Sequence, residues 1–158
     1  MMGTLKTLSA AALAMVIMFA AGITKADAQT KRDDRIQYEY GQTDLVRILK
    51  SEGYASVERH DSDGVTFKIE GKIYGLFIMK DNDLKLYYGT SGIEVSLSTL
   101  NTWNRDFRHS RAFNDNEGDP ILEADLLADK GLTEAMVKNF IAVFTVSVAR
   151  FRKDVLKE

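Results

Sequence analysis

The stretch Asn101-Thr102-Trp103-Asn104-Arg105-Asp106-Phe107-Arg108, followed after two residues by Arg111-Ala112-Phe113, is the most specific passage in this chain. Read as a helix opening near Ser96 or Ser98, it sets Leu97, Leu100, Trp103 and Phe107 on one face at spacings of three or four. Asn104 falls inside that apolar stripe, at about 340° on a wheel with Leu97 at zero. A buried amide without partners costs roughly 1–3 kcal/mol. The block therefore predicts a packed helix with one polar demand, met by hydrogen bonds from Asn104 to the backbone of an adjoining strand. Trp103, at helical spacing with Leu100 and Phe107, is read as core.

On the C-terminal side, two strands at residues 111–114 and 121–127 flank Asn116-Glu117-Gly118-Asp119-Pro120, a turn holding the only proline. A long helix then opens at Thr133 and runs to about Leu156. Its apolar positions (Met136, Val137, Phe140, Ile141, Val143, Phe144, Val148, Phe151, Val155) cover an arc of roughly 160°. Its inner apolar run is too short to span a membrane. On the N-terminal side a first helix is expected with Thr43 as N-cap, Leu45, Val46, Ile48 and Leu49 inward, and Gly53 just past its end. Four strands at 54–59, 65–70, 73–79 and 84–89 follow, separated by Asp61-Ser62-Asp63-Gly64, Gly71-Lys72 and Asp81-Asn82-Asp83. Alternation such as Val65, Phe67 and Ile69 against Thr66, Lys68 and Glu70 marks half-buried strands of an antiparallel meander. The order α-β-β-β-β-α-β-β-α describes an α+β domain, an antiparallel sheet packed by helices.

The first residues read differently. Lys6 precedes an apolar run from Leu8 to Ile23, and Ala26-Asp27-Ala28 supplies an A-x-A exit. That pattern predicts a signal peptide over residues 1–28, cleaved after Ala28, with export to the periplasm; an uncleaved anchor helix is the alternative. Residues 29–42 are polar and read as a flexible lead-in, leaving 43–158 as the domain. The chain has 158 residues, a net charge of −2 and no cysteine. Thiol nucleophiles, thiolate metal sites and disulfides are excluded, so the core alone holds the fold. The mildly acidic balance lacks the footprint of a nucleic-acid binder, and no membrane association is expected once the signal is removed.

Catalytic patterns are missing: there is no nucleophile elbow, zinc-protease helix, P-loop or dinucleotide fingerprint. His60 and His109 lie in different segments, without grouped ligands for a metal. Asp61-Ser62-Asp63-Gly64 fails as a calcium loop, since Lys72 stands where the bidentate glutamate belongs. No cofactor, metal or catalytic residue is therefore expected, and the chain is read as a non-enzyme. Arg105, Arg108 and Arg111 could bind a carboxylate or other anion, against local pairing with Asp106, Asp115, Glu117 and Asp119. Of Tyr87 and Tyr88, only one can face the helices of an alternating strand. Tyr87, Tyr88, Trp103, Asn104, Arg105, Arg108 and Arg111 together form the candidate binding surface.

The chain resembles the YbjN domain family over about residues 43–151. The resemblance rests on Glu52-Gly53-Tyr54, Asp63-Gly64, Gly71 before an aromatic strand, Leu100-Asn101-Thr102-Trp103-Asn104-Arg105, Arg111-Ala112-Phe113, Gly118-Asp119-Pro120, Lys130-Gly131-Leu132-Thr133 and a closing helix with Phe151. It implies a fold like that of type III secretion chaperones, which commonly dimerise and bind extended polypeptide, and the label of a bacterial sensory-transduction regulator. A protein or peptide partner and a homodimer are thus expected. The alternative is a small-molecule sensor with its pocket between the Trp103 helix and the sheet. Two features depart from the family: the cysteine pair many relatives carry near the third strand is absent at Met79-Lys80-Asp81-Asn82, and Lys130-Gly131 replaces a more typical Gly-Gly.

Overall fold

The computed structural model describes residues 30–61 and 63–158; the expected signal peptide lies outside them. Helices α1 (Gln42–Ser51), α2 (Leu97–Asp106) and α3 (Glu134–Phe151) and strands β1 (Glu58–His60), β2 (Gly64–Ile69), β3 (Lys72–Ile78), β4 (Leu84–Gly89), β5 (Arg111–Asn114) and β6 (Pro120–Leu126) follow the expected α+β order. The strands make one antiparallel sheet, ordered β1-β2-β3-β4-β6-β5.

Period-2 alternation decides which face is buried. Val65 and Phe67, Tyr74 and Leu76, Leu84, Leu86 and Tyr88, and Leu122 and Ala124 enter one core with Leu45, Ile48 and Leu49 of α1. From α3 the same core receives Val137, Ile141, Phe144, Val148 and Phe151. Tyr88 is buried there while Tyr87 is half-buried on the opposite face, as alternation requires.

Local chemistry sets the ends of α1. Its N-cap is Gly41, whose N–H reaches the Asp44 carboxylate at 3.2 Å, and not Thr43; the Thr43 hydroxyl instead accepts from Arg59 at 2.8 Å. At the other end Gly53, with φ at +85°, lets its own N–H bond Lys50 and the Tyr54 N–H bond Leu49, both at 3.1 Å. This double closure satisfies carbonyls that the helix leaves open. It also shortens the first strand. Residues 54–57 are irregular, with Ser56 at φ +53°, so the strand expected at 54–59 is reduced to Glu58–His60. The Tyr54 ring turns back to meet Phe67 edge-on at 5.0 Å.

Contacts also hold the lead-in that composition marked as flexible. Gln37 and Leu132 exchange N–H···O bonds at 2.8 Å, the Tyr40 hydroxyl donates to the Leu132 carbonyl at 3.1 Å, and Lys138 meets Asp33 at 2.9 Å. At the opposite terminus α3 is α-helical only to Phe151. Residues Arg152–Leu156 widen into a π-helical turn that buries Val155 and Leu156, and the Glu158 carboxylate ties back to Arg152 and Lys72 at 2.8 and 3.0 Å.

Candidate functional site

The Asn101–Phe113 block builds one edge of the sheet. The Ser96 hydroxyl caps α2 by accepting the Thr99 N–H at 3.2 Å. Trp103 is only 2% exposed: Phe107 stacks on it at 4.2 Å and Phe151 meets it edge-on at 5.2 Å. Its indole N–H donates to the Ser110 hydroxyl at 3.3 Å. Phe107 has already left the helix, with extended backbone, and its ring lies 4.4 Å from the Arg150 guanidinium. Leu97, expected on the packed face, is 75% exposed. The last residue of β5 does reach the start of the helix, where the Asn114 amide donates to the Val95 carbonyl at 3.1 Å, but Leu97 points away from it.

Asn104 does bond a neighbouring strand, though its side chain is exposed and not buried. Its amide donates to the Ala112 carbonyl at 2.9 Å and accepts the Ala112 N–H at 2.8 Å. Ala112 pairs with Leu122 across the ladder, flanked by Arg111↔Glu123 and Phe113↔Ile121. The Asn104 amide thus serves the outer edge of β5 as a one-residue strand would.

Upstream of β5 the chain turns aside. His109 sits at φ +66°, an uncommon conformation for a non-glycine residue, and Ser110 is held by Trp103. The β5 ladder therefore ends at Arg111↔Glu123, while β6 continues to Leu126. Two bonds show which way the overhang points. On the β4 side the Thr90 N–H meets the Pro120 carbonyl, and on the β5 side the Asp115 N–H meets the Asp119 carbonyl. Backbone groups alternate sides along a strand, so odd-numbered residues of β6 face the β5 side. The N–H and C=O of Asp125 are thereby presented at an edge where, among the described residues, no partner strand follows.

Beside that edge runs an apolar wall. Met136, Phe140 and Val143 follow one another at spacings of four and three on α3, and Met136 and Val143 are 45% and 37% exposed. With Ala124, Leu126 and Phe144 they line a groove of about 680 Å³, bordered also by His109, Ser110 and Arg111. The rim is charged: Glu123 pairs with Arg111 and, at 3.4 Å, with Lys85, which also lies 3.7 Å from Asp125. Glu123 is nearly buried, whereas the Asp125 side chain is half exposed.

Of the residues assigned from sequence to the candidate binding surface, only Arg111 borders this groove. Trp103 and Tyr88 are core, and burial pushes the Tyr88 phenol above its ordinary pKa. Tyr87 lies on the far face of the sheet, its phenol also raised, first by burial and then by Asp115. Arg105 is engaged by Asp106 at 2.7 Å on the open surface, and that hydrogen bond lowers the Asp106 carboxyl. Arg108 is exposed and outside the groove lining. The arginines therefore do not converge. Among the described residues, the space beneath α2 where the alternative reading puts a small-molecule pocket holds the packed rings of Trp103, Phe107 and Phe151. His60 and His109 stand at opposite edges of the sheet.

The comparisons fit this architecture. The family model YbjN, described as "Putative bacterial sensory transduction regulator", matches residues 42–157. The chain belongs to the YbjN family. Its sheet and helices superpose on the crystal structure of YbjN from E. coli with a TM-score of 0.56 at 16% identity, covering 77% of this chain and 99% of that one. They also superpose on the Yersinia pestis type III secretion chaperone SycH, solved in complex with a stable fragment of YscM2, with a TM-score of 0.53 at 14% identity over 72% of this chain and 98% of that one. No curated protein matches. The YbjN match begins at the first residue of α1, so the lead-in docked through Gln37 and Tyr40 precedes the family's core.

Proposed function

We propose that this chain is an exported, non-enzymatic binding module of the YbjN family, regulatory or chaperone-like, that takes up an extended stretch of polypeptide along residues 124–126 of β6. One observation carries this reading: among the described residues, an unpaired strand edge lies beside an exposed apolar helix stripe. Strand addition draws affinity from main-chain bonds and specificity from pockets for alternate side chains, and the groove provides both surfaces. The fold shared with a chaperone solved on a polypeptide fragment supports a protein partner. The charged groups at the rim are engaged with one another, as Glu123 is with Arg111 and Lys85, which supports binding over acid–base chemistry. The lysine, apolar run and A-x-A exit at the N-terminus support action in the periplasm.

Reduced, carboxymethylated lactalbumin, a permanently unfolded chain, tests the reading by titration against the protein. Saturable binding is expected, lost in Val143→Asp without a fall in thermal midpoint. Equal binding by wild type and Val143→Asp, or none by either, would overturn it.

A further inference from the structure

Resting on the reading of the groove as a polypeptide site, we propose that the occupant is an extended segment of the pattern apolar–basic–apolar, docked with its central residue opposite Asp125. The register follows from the sheet. Paired residues on neighbouring strands share a face, whether the strands run parallel or antiparallel. A segment added at residues 124–126 therefore places the residues opposite Ala124 and Leu126 on the helix side. There they meet Phe140, Val143 and Phe144. The residue opposite Asp125 falls on the other face, in the row that continues through Lys85. Lys85, 3.7 Å from Asp125, is shared with Glu123 at 3.4 Å, and the Asp125 side chain stays half exposed. Since like charges directly opposite are destabilising and unlike charges favourable, that carboxylate prefers a lysine or arginine there.

Length points the same way. From Met136 to Val143 the helix rises about 10 Å, and the outer residues of a three-residue strand lie about 7 Å apart. The apolar wall thus accommodates both outer side chains of a three-residue core and does not call for a long amphipathic helix. Backbone direction makes the register specific. We take the segment as added antiparallel, like every other neighbour in this sheet. Because Asp125 turns its N–H and C=O outward, the central residue of such a segment turns its own inward and exchanges both bonds with Asp125. The two flanking residues point theirs to solvent.

Acetylated, amidated heptapeptides with Val-Lys-Val at their centre test this against the full chain by fluorescence polarisation. Val-Lys-Val should bind at least about tenfold more tightly than Ser-Lys-Ser, because two buried apolar side chains are lost in the latter. It should bind about two- to fivefold more tightly than Val-Glu-Val. Methylating the amide nitrogen of the central lysine should weaken binding at least about tenfold, and methylating the first valine's nitrogen less than about twofold. Asp125→Lys should reverse the preference between Val-Lys-Val and Val-Glu-Val. Heptapeptide binding that ignores the methylated position, or a preference that Asp125→Lys leaves unchanged, would overturn the register. If unfolded lactalbumin binds through Val143 while no heptapeptide binds, the register falls and the groove stands. If neither binds, both fall.

Discussion

Replacing Asn104 with alanine removes two hydrogen bonds at once, and the structure sets the size of the effect. The amide donates to the Ala112 carbonyl at 2.9 Å and accepts its N–H at 2.8 Å. A typical bond contributes about 1 kcal/mol net, and a buried group left unpaired costs roughly 1–3 kcal/mol. Ala112 is 3% exposed, but the side chain being removed faces solvent, so water reaches the vacated edge. The expected loss is therefore about 1–2.5 kcal/mol, toward the lower end of two fully orphaned groups. Asn104→Asp is the sharper probe. It keeps the acceptor for the N–H but turns an anionic oxygen toward the Ala112 carbonyl, so it should cost at least as much as alanine. Urea unfolding followed by the single tryptophan reports both variants, since Trp103 lies one residue away in the core. Hydrogen exchange at the Ala112 amide gives a local reading. If Asn104→Ala unfolds within about 0.3 kcal/mol of wild type and the amide stays protected, the one-residue-strand account is wrong.

Two further outcomes follow from buried polar groups. Glu134 is almost fully buried at the first position of α3 and is held by Arg47 at 2.6 Å. Arg47→Met strands that carboxylate and should cost about 2–3 kcal/mol in a urea titration, below the full range for a buried pair because Arg47 is one-third exposed. Adding Glu134→Gln should recover at least half. The Tyr40 phenol is pushed up to about 12, by burial first and then by Glu134. The unfolded chain ionises near pH 10 while the folded one keeps its proton, so stability is whole below pH 10 and falls as pH rises toward 12. The loss reaches up to about 2–3 kcal/mol. Tyr74, also raised to about 12 by burial, acts in the same window. Thermal midpoints measured at pH 9 and 11 should therefore converge partly in Tyr40→Phe; an unchanged difference would refute the assignment.

The fold was legible because its determinants are local. Alternation in β2 to β4, the Ser96 and Thr133 caps, the Gly53 closure and the Pro120 turn each act over a few residues. The errors lie where tertiary reach decides. Leu97 obeys the helical period but sits in the first turn of its helix with its side chain left to solvent. Asn104 lies on the apolar stripe yet projects far enough to meet a backbone from outside. Tyr54 has strand character, but the helix closure before it takes the chain another way. The aromatic and arginine candidates do not cluster at the groove: Trp103 and Tyr88 are core, Arg105 and Arg108 lie on the open surface, and only Arg111 borders it. Two signals did point to it. The apolar arc of about 160° on the last helix exceeds the stripe of roughly 100° that a core needs, and its surplus is Met136, Phe140 and Val143. The expected strands at 111–114 and 121–127 already differed in length, and that difference is the open edge.

The Trp103–Asn104 pair and the open edge belong to one device. Trp103 fixes Ser110, Asn104 fixes Ala112, and between them the chain enters β5 too late to cover Asp125. An uncovered edge beside an apolar wall invites pairing with any exposed strand, including the same edge of a second copy. Consider two such edges meeting about a two-fold axis, with their one outward-facing residue paired to itself. Asp125 would then stand directly opposite Asp125, an unfavourable like-charge pair. A heterologous segment with a basic residue at that position meets the opposite sign. The carboxylate therefore discriminates twice, against self-pairing and in favour of a cationic guest. A homodimer of this chain would accordingly use another surface and leave the groove free for its occupant.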